Sequence, residues 1–555
     1  MHIDTDVHEV EAGKEPTVLL PVATQNLDED LLVEAKDATA LEHHMTVRQA
    51  FKIYPKAVGW SILLSLVIIM EGYDTLLLGS FYAFPEFLKK FGELQPDGSY
   101  EISAAWQAGL SNGAQVGSIM GLFVAGYAAE RFGYRKTLLA GLFAITAFVF
   151  IQFFAPNIET LQVGYVLCGL PWGVFQTITT AYAAEVCPIA LRGYLTTYVN
   201  LCWVIGQIIA SGTLRGMLSV KSEWGYRACY AIQWFWPVPI SVGVYFAPES
   251  PWWLVRQGRT EDAAKAMDRL TTKVDPNFNT EQKVAMMVHT NEMEKKVSSG
   301  TSFLDCLKGT DLRRTEIVSI VWLMQAFCGS ALMGYSTYFY YQAGLPTDQS
   351  FNFTLIQFSL GGFGTMFSWL AITYAGRRTL YLTGMSIMLV LLIIIGGIAV
   401  SPAASASKGG SWAIGSMLLI FTLIYDCTVG PVCYSLVAEI PSTRLRSKSI
   451  VIARNVYNVA GIVNNIITPY MLNPSAWNWR AKTAFFWAGV NALLIVWTFF
   501  RLPEPKGLAY SELDILFERN VSARKFRNAA VDPFNGLTSE LDETKAAATM
   551  IEKAG

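Results

Sequence analysis

Two short stretches of the sequence decide the fold: Ala-Glu-Val-Cys-Pro-Ile-Ala-Leu-Arg at 184–192 and Ala-Glu-Ile-Pro-Ser-Thr-Arg-Leu-Arg at 438–446. In each stretch a glutamate stands seven residues before an arginine, and the two glutamates, at 185 and 439, are 254 residues apart. The pair Pro248-Glu249 also recurs 255 residues later, as Pro503-Glu504. We therefore expect the chain to consist of two similar halves in the same order.

The composition places both halves in a membrane. Of the 555 residues, 52% are hydrophobic and only 15% are charged, and the mean hydropathy is +0.33. These values are typical of a chain that spans a bilayer several times. The net charge of −2 argues against the basic surface that nucleic-acid binding needs, so no nucleic-acid partner is expected.

Apolar stretches of about 20 residues, enough to cross ~30 Å of hydrocarbon, occur twelve times. Six precede residue 248, at 57–80, 106–129, 137–154, 160–183, 194–214 and 228–247, and six follow a polar gap, at 316–340, 354–375, 379–400, 413–436, 448–471 and 482–501. The fold class is therefore an all-α membrane protein with 12 transmembrane helices in two six-helix bundles. The expected domains are an N-terminal tail (1–56), the first bundle (57–247), a linker (248–315), the second bundle (316–501) and a C-terminal tail (502–555).

The charges in the short loops predict the orientation. Lys and Arg cluster in loops on the side that also holds the linker and both tails, at Arg131, Arg135, Lys136, Arg192, Arg377, Arg378, Arg444, Arg446 and Lys448. Positively charged loops face the cytoplasm, so both termini are expected there. The first 50 residues have no basic start and apolar core of the signal-peptide type. Parallel repeats around a shared midplane are typical of transporters.

Five motifs in the expected order carry a resemblance to a known family. They are Gly72-Tyr73-Asp74, the loop from Gly126 to Lys136, Pro248-Glu249-Ser250-Pro251-Trp252-Trp253-Leu254, Gly430-Pro431-Val432, and Pro503-Glu504-Pro505-Lys506-Gly507. The chain resembles the sugar porter family of the major facilitator superfamily from about residue 55 to 530. Within it, stretches such as Pro171 to Gln176 and Arg454 to Val459 are most similar to fungal α-glucoside (maltose-type) permeases.

This resemblance implies a function, which is transport and not enzyme catalysis. The expected protein is a proton-coupled symporter that imports an α-glucoside disaccharide or small oligosaccharide by alternating access across the fungal plasma membrane. Its partners would be the sugar, the proton and the lipid bilayer; the proton gradient replaces any cofactor, and the chain would act as a monomer. A passive facilitator and a non-transporting sugar sensor remain alternatives, as do other substrates such as raffinose, cellobiose or lactose. No GxxxxGK[ST] loop supports an ATP-driven pump.

Proton coupling is expected to depend on carboxylates, because none of the five histidines lies in a predicted span. Glu71 and Asp74 are three residues apart and so share a helical face. The resemblance implies that Asp74 is the coupling aspartate, but the arginine with which many family members pair it is replaced by Tyr165. Our hypothesis is that proton sharing with Glu71 compensates. Asp426, five residues before Pro431, is a third candidate, although it could instead bond to freed backbone.

Sugar binding needs amides, hydroxyls and aromatic faces, and the family pattern implies one set of residues for it and another for a cytoplasmic gate. The expected sugar ligands are Gln207, Gln325, Asn200, Tyr335, Tyr434 and Asn458. The expected gate is formed by Glu130, Arg131, Glu185, Arg192, Glu439 and Arg446. Asparagines also hold helices together and arginines also set topology, so these simpler roles remain open. The sequon at Asn352 lies close to the eighth span.

Overall fold

The computed structural model describes residues 45–96, 98–272, 279–298, 302–405, 407–442, 445–506 and 510–528. Most of the expected N-terminal tail, and the C-terminal tail beyond 528, lie outside the described residues. The described chain is almost entirely helical, apart from one small antiparallel pair of strands, Glu93–Leu94 and Tyr100–Glu101.

Twelve helical spans follow one another in two groups of six. Spans 1 to 6 are Pro55–Ser65 with Val67–Phe81, Ala104–Phe132, Tyr134–Phe153, Ile158–Val186, Ile189–Met217, and Trp224–Ala231 with Pro237–Phe246. Spans 7 to 12 are Gly309–Phe327 with Ala331–Gly334 and Ser336–Gln342, Thr347–Tyr374, Arg377–Val400, Lys408–Cys427 with Val429–Glu439, Arg446–Leu472, and Thr483–Arg501. Among described residues, hydropathy and length alone single out seven helices that could cross a membrane. The expected fold class is confirmed.

Shorter helices lie between and beside the spans. They are Val47–Ile53, Pro85–Phe91, Pro251–Arg256, Thr260–Leu270, Thr280–Ser298, Pro402–Ser405 and Tyr510–Glu518. Three of them lie in the linker. Span 7 begins at Gly309 and not at 316, because its first turn carries charged residues that an apolar-stretch criterion leaves out. We call the end of the bundle that holds the linker the linker end, and the opposite end the far end.

Close backbone contacts fix span 1 against span 5. A Cβ at Gly72 would meet the backbone carbonyl of Trp203, and a Cβ at Gly206 would meet that of Ile69. Glycine on both helices therefore allows an approach that larger residues would prevent, as is common between membrane helices. This contact sets the position of the acidic segment of span 1 relative to span 5.

The helices of two spans are interrupted near residues that disfavour a helical conformation. In span 7 the helix stops at Phe327, and Gly329 adopts a φ of +105°, which other residues rarely accept. In span 10 the helix stops at Cys427 and restarts at Val429, so that Pro431 lies in a first turn, where its missing N–H costs little. Both breaks lie within the membrane part of the second half.

At the linker end, the glutamate of each repeated Pro-Glu pair caps the start of a helix in its half. The Glu249 carboxylate accepts from the backbone N–H groups of Tyr134 (3.0 Å) and Arg135 (3.2 Å), at the start of span 3. The Glu504 carboxylate accepts from those of Arg377 (2.8 Å) and Arg378 (3.1 Å), at the start of span 9. Each glutamate thus satisfies helix N–H groups that have no partner inside the helix, and its charge is favoured there.

Burial raises the pKa of the Glu249 carboxyl, and the backbone N–H groups of Ser250, Arg135 and Tyr134 oppose this rise. The N–H groups are thus the compensation for placing an acid in a buried position. A Cβ on Gly133, whose φ is +90°, would lie 2.5 Å from a Glu249 carboxylate oxygen, so glycine is needed there.

The two halves are joined at the far end by polar contacts that we call the far-end seal. Its hydrogen bonds connect Tyr335 to Ser111 (2.9 Å), Ser80 to Thr337 (2.9 Å), Asn473 to the Ile102 carbonyl (2.8 Å), Arg215 to Asn352 (2.7 Å), and Tyr338 to Glu101. The rings of Tyr82 and Tyr335 stack across the same boundary, 6.1 Å apart. At the linker end, none of the hydrogen bonds and ion pairs that the structure describes joins one half to the other. The far end of the bundle is therefore closed by polar contacts between the halves.

Candidate functional site

Glu71 lies in the second helix of span 1 and is 4% exposed. Its Oε1 accepts a hydrogen bond from Nε2 of Gln176 in span 4, and its buried Oε2 has no hydrogen-bond partner among the described residues. The other side of the Gln176 amide, Oε1, accepts from Nη2 of Arg454 in span 11 at 3.1 Å. A carboxyl of the first half is thus linked through one amide to a guanidinium of the second half.

Asp74 is completely buried, one turn further along span 1. Its Oδ1 accepts from Nε2 of Gln233 at 2.8 Å, and its Oδ2 has no hydrogen-bond partner among the described residues. Tyr165, which replaces the family's arginine, has its hydroxyl 2.8 Å from that of Tyr230. The described hydrogen-bond partner of Asp74 is therefore a neutral amide, and no described ion pair involves its carboxylate.

The two carboxylates of span 1 have separate partners. Glu71 contacts span 4, whereas Asp74 contacts the short helical segment Ile232–Phe235 within span 6. No described hydrogen bond joins the two, so the geometry does not supply the direct proton sharing that we expected of them. The arginine near this pair comes instead from span 11.

Arg454 is a charged residue of the site that the sequence did not lead us to predict. Its guanidinium carbon lies 5.3 Å from the ring centre of Trp322 and 4.9 Å from that of Tyr457, within cation–π range. The signal was present in the sequence, because an arginine seven residues inside a predicted span is as costly to insert as an acid. The prediction of proton-coupling groups was confined to acids and histidines.

Asp426 lies in span 10 and faces two glycines of span 8. A Cβ at Gly361 would come within 2.6 Å of its Oδ2, and one at Gly364 would come within 3.1 Å of its Cβ. No hydrogen bond to its carboxylate occurs among the described residues. The structure thus places Asp426 at the contact of spans 8 and 10.

The expected amide ligands of a sugar come from three interface spans. Gln207 in span 5 is 6% exposed, and its amide has no described hydrogen bond, so it is available to a ligand. Gln325 in span 7 donates to the Gly430 carbonyl at 3.1 Å, which ties it to the break in span 10. Asn458 in span 11 accepts from Gln115 in span 2 at 3.4 Å across the two halves. Asn200 is half-buried in span 5.

The two expected tyrosines lie at different depths. Tyr335 is part of the far-end seal. Tyr434 is 44% exposed and meets the ring of Trp322 edge-on at 6.5 Å. Trp322, Tyr434 and Tyr457 therefore form an aromatic cluster beside Arg454, and this cluster could offer ring faces to the apolar side of a sugar. Sequence reasoning found only Tyr434 of these three.

Two of the expected gate residues, Glu185 and Glu439, form ion pairs that do not join the first bundle to the second. Glu185 accepts from Arg256 at 2.8 Å, and Glu439 accepts from Arg377 at 2.8 Å. Arg131 donates to Tyr127 at 2.7 Å, and the Glu130 carbonyl accepts from Trp253 at 2.9 Å. The Arg192 side chain lies outside the described residues, and Arg446 begins span 11 at this end.

The bundle consists of two six-span repeats, is sealed at one end and holds buried carboxylates between its helices. These features are typical of a membrane transporter that exposes its centre to one side at a time. Residues 60–517 match the family described as Sugar (and other) transporter. The chain belongs to this family, and it is a multi-pass membrane transport protein and not an enzyme.

Individual relatives and solved structures agree with this assignment. The chain is 43% identical over 541 residues to the maltose permease MAL31 of Saccharomyces cerevisiae, a match that covers 96% of this chain and 87% of the relative. It is also 43% identical over 506 residues to a general alpha-glucoside permease of the same yeast, covering 90% and 82%.

Among solved structures, the inward open conformation of the xylose transporter XylE from E. coli aligns with a TM-score of 0.66 at 20% identity, covering 83% of this chain and 99% of XylE. The proton:xylose symporter XylE bound to 6-bromo-6-deoxy-D-glucose aligns with a TM-score of 0.65 at 20% identity, covering 84% and 99%. These structures share the fold of this chain.

Proposed function

We propose that this protein is a proton-coupled importer of α-glucosides, maltose-like disaccharides above all, in the plasma membrane. The names of the maltose and alpha-glucoside permeases support the substrate class, since these relatives match most of the chain. The observation that carries the coupling is Asp74, a fully buried carboxylate with one oxygen bonded to Gln233 and the other without a partner among the described residues. Glu71 has the same arrangement with Gln176.

A buried carboxylate whose direct hydrogen-bond partner is a neutral amide is costly when ionised and less costly when it carries a proton. The free oxygens of Asp74 and Glu71 are places where such a proton can bind. Access to the aqueous phase on alternate sides would load and unload it. Asp426 is a third proposed proton site, and its position between spans 8 and 10 would give it an accessory role.

The driving force is sufficient for accumulation. A single proton that moves down ~150 mV and one pH unit releases about 3.5 and 1.4 kcal/mol respectively, which supports roughly a thousandfold sugar gradient. In this cycle the closed far end would correspond to a state that releases its cargo at the linker end. The basic loops at that end support the proposal that it faces the cytoplasm, together with both termini.

The sugar would be bound between the halves by Gln207, Gln325, Asn200 and Asn458, with Tyr335 closing the site from the far end and Tyr434 beside it. The gate residues Glu130, Arg131, Glu185, Arg192, Glu439 and Arg446 would form contacts between the halves when the far end opens. In the present state Glu185 pairs with Arg256 of the linker and Glu439 pairs with Arg377 of its own half, which supports a gate that is released here. A monomer contains all of these elements.

One observation favours a second candidate, a passive facilitator: the arginine with which many family members pair their coupling aspartate is Tyr165 here. The test is uptake of labelled maltose, trehalose, sucrose, cellobiose, lactose, raffinose and glucose in a transport-null cell at two pH values. We expect α-glucoside uptake that rises at acid pH, alkalinises a weakly buffered medium and collapses with an uncoupler. Uptake that persists fully with the uncoupler would establish the facilitator. If the protein transports none of these sugars, the non-transporting sugar sensor is the remaining alternative.

A further inference from the structure

Gln176 lies between a titratable group of one half and a fixed charge of the other. Its Nε2 donates to Glu71 in span 1, and its Oε1 accepts from Arg454 in span 11 at 3.1 Å. Gln176 itself is in span 4, in the same half as Glu71. The aromatic rings of Trp322 and Tyr457 flank the guanidinium. This connection therefore crosses from the first half to the second within the membrane part of the bundle.

The chemistry of the three groups permits a single orientation of the amide while Glu71 is ionised. A guanidinium only donates hydrogen bonds and an ionised carboxylate only accepts them. The amide must therefore direct its oxygen toward Arg454 and its NH₂ group toward Glu71, as the structure has it. In this orientation both hydrogen bonds have a charged partner, and such bonds are roughly twice as strong as neutral ones.

A proton on Glu71 changes this relation. Oε2 is buried with no hydrogen-bond partner among the described residues, so it can accept the proton without breaking a bond. The bond from Gln176 then loses its charged acceptor, and the protonated carboxyl becomes a donor that competes for the amide oxygen. If the amide turns to accept that proton, its NH₂ group faces Arg454, and two donors meet. The connection between the halves is weaker in either case.

We propose that Gln176 is a positioning residue that transmits the protonation state of Glu71 to Arg454, and through span 11 to the second half. This proposal rests on the proposed proton symport. The charged and titratable groups around Glu71 are Arg454 and Tyr457 from span 11 and Asp74 on span 1, the last held separately by Gln233. The free energy of the change between conformations then differs between the two protonation states, which is the condition for coupling.

The test compares two substitutions at this position in proteoliposomes that contain the full-length protein. Gln176→Leu removes both hydrogen bonds. We expect it to retain sugar counterflow, which needs no net proton movement, but to lose proton-driven accumulation. In the wild-type protein the apparent KM for the sugar should rise about tenfold per pH unit once the protonated form becomes the minor one. In Gln176→Leu this dependence should disappear.

Gln176→Glu keeps the shape and, when the new carboxyl is protonated, keeps one donor and one acceptor. We expect it to remain coupled but with a pH profile displaced toward acid, which a purely structural role would not produce. Gln162→Leu is the matched control, because Gln162 is also a glutamine of span 4, and its described hydrogen bond goes to the Gly109 carbonyl within its own half, at 2.8 Å. Its pH dependence should match the wild type.

Each outcome separates the proposal from the function on which it rests. If wild-type uptake has no proton dependence, the proposed symport fails. If the wild type is coupled and Gln176→Leu accumulates sugar with an unchanged pH dependence, the role of Gln176 is overturned. If Gln176→Leu no longer carries out counterflow, Gln176→Glu provides the test instead. A pH profile of Gln176→Glu that is identical to that of the wild type would also overturn the proposal.

Discussion

Removing the Glu101 carboxylate should open the far end. Glu101 is 6% exposed and belongs to the first half, yet two donors to its carboxylate, Tyr338 and Asn473, come from the second half. Both donate to the same oxygen, Oε1, and the bond from Asn473 is long, at 3.5 Å. Of the two, the bond from Tyr338, whose side chain is completely buried, therefore contributes more to the closed state.

The structure permits an estimate of the effect. A bond to a charged acceptor contributes about 1.5–3 kcal/mol, against about 0.5–1.5 for a neutral one. Glu101→Gln keeps an acceptor but removes the charge, so it should weaken the closed state by about 1 kcal/mol. Glu101→Ala also leaves the Tyr338 hydroxyl buried without this acceptor, and should cost about 3 kcal/mol, or roughly a hundredfold in the ratio of closed to open states.

Spin labels at Ser219 and Lys408, which are exposed at the far end on opposite halves, would measure the distance between the halves by pulsed electron paramagnetic resonance. We expect the population at the longer distance to increase from wild type to Glu101→Gln to Glu101→Ala. The control is Glu86→Ala, because the described ion pair of Glu86 is local, with Lys89 at 2.8 Å. A distribution for Glu101→Ala that matches this control would refute the reasoning.

Three further outcomes are expected. Asp74→Asn should abolish alkalinisation of a weakly buffered medium by added sugar, since an amide cannot exchange the proton; alkalinisation at the wild-type rate would remove Asp74 from the coupling mechanism. Gln207→Ala should raise the sugar KM about tenfold, as loss of one or two hydrogen bonds would, and an unchanged KM would place Gln207 outside the sugar site. Glu249→Ala should destabilise the protein by about 1 kcal/mol, as loss of a helix cap does, and Gly133→Ala should do so as well; thermal unfolding in detergent measures both, and an unaltered melting temperature would contradict the capping role.

The spans could be predicted from sequence because their signal is long and local. Twenty apolar residues have few alternatives to a membrane helix, and the repeat of Glu185 and Glu439 indicated the relation of the halves. The breaks could not be predicted in the same way. Gly329 in span 7 resembles the many glycines that serve helix packing, and only its φ of +105° shows that it ends a helix.

The acidic residues of the site could be predicted from the sequence, but the residues that form hydrogen bonds with them could not. Glu71 and Asp74 stand out because charges are rare in spans. Their partners Gln176 and Gln233 do not, since single glutamines are common in spans 2 to 7 of this chain. Glu101 was not predicted because it precedes span 2 in a polar loop, where an acidic residue is not unusual. Which of these residues meet depends on the packing of spans that are far apart in sequence.

The hydroxyl contact between Ser80 and Thr337 offers a covalent means of control. Their oxygens are 2.9 Å apart, on opposite halves and at the closed end of the bundle. Side chains this close can be replaced by a pair of cysteines within the reach of a disulfide. Oxidation of that pair would hold the carrier in one state of its cycle and a reductant would release it, so that a single preparation could be switched between arrested and active transport.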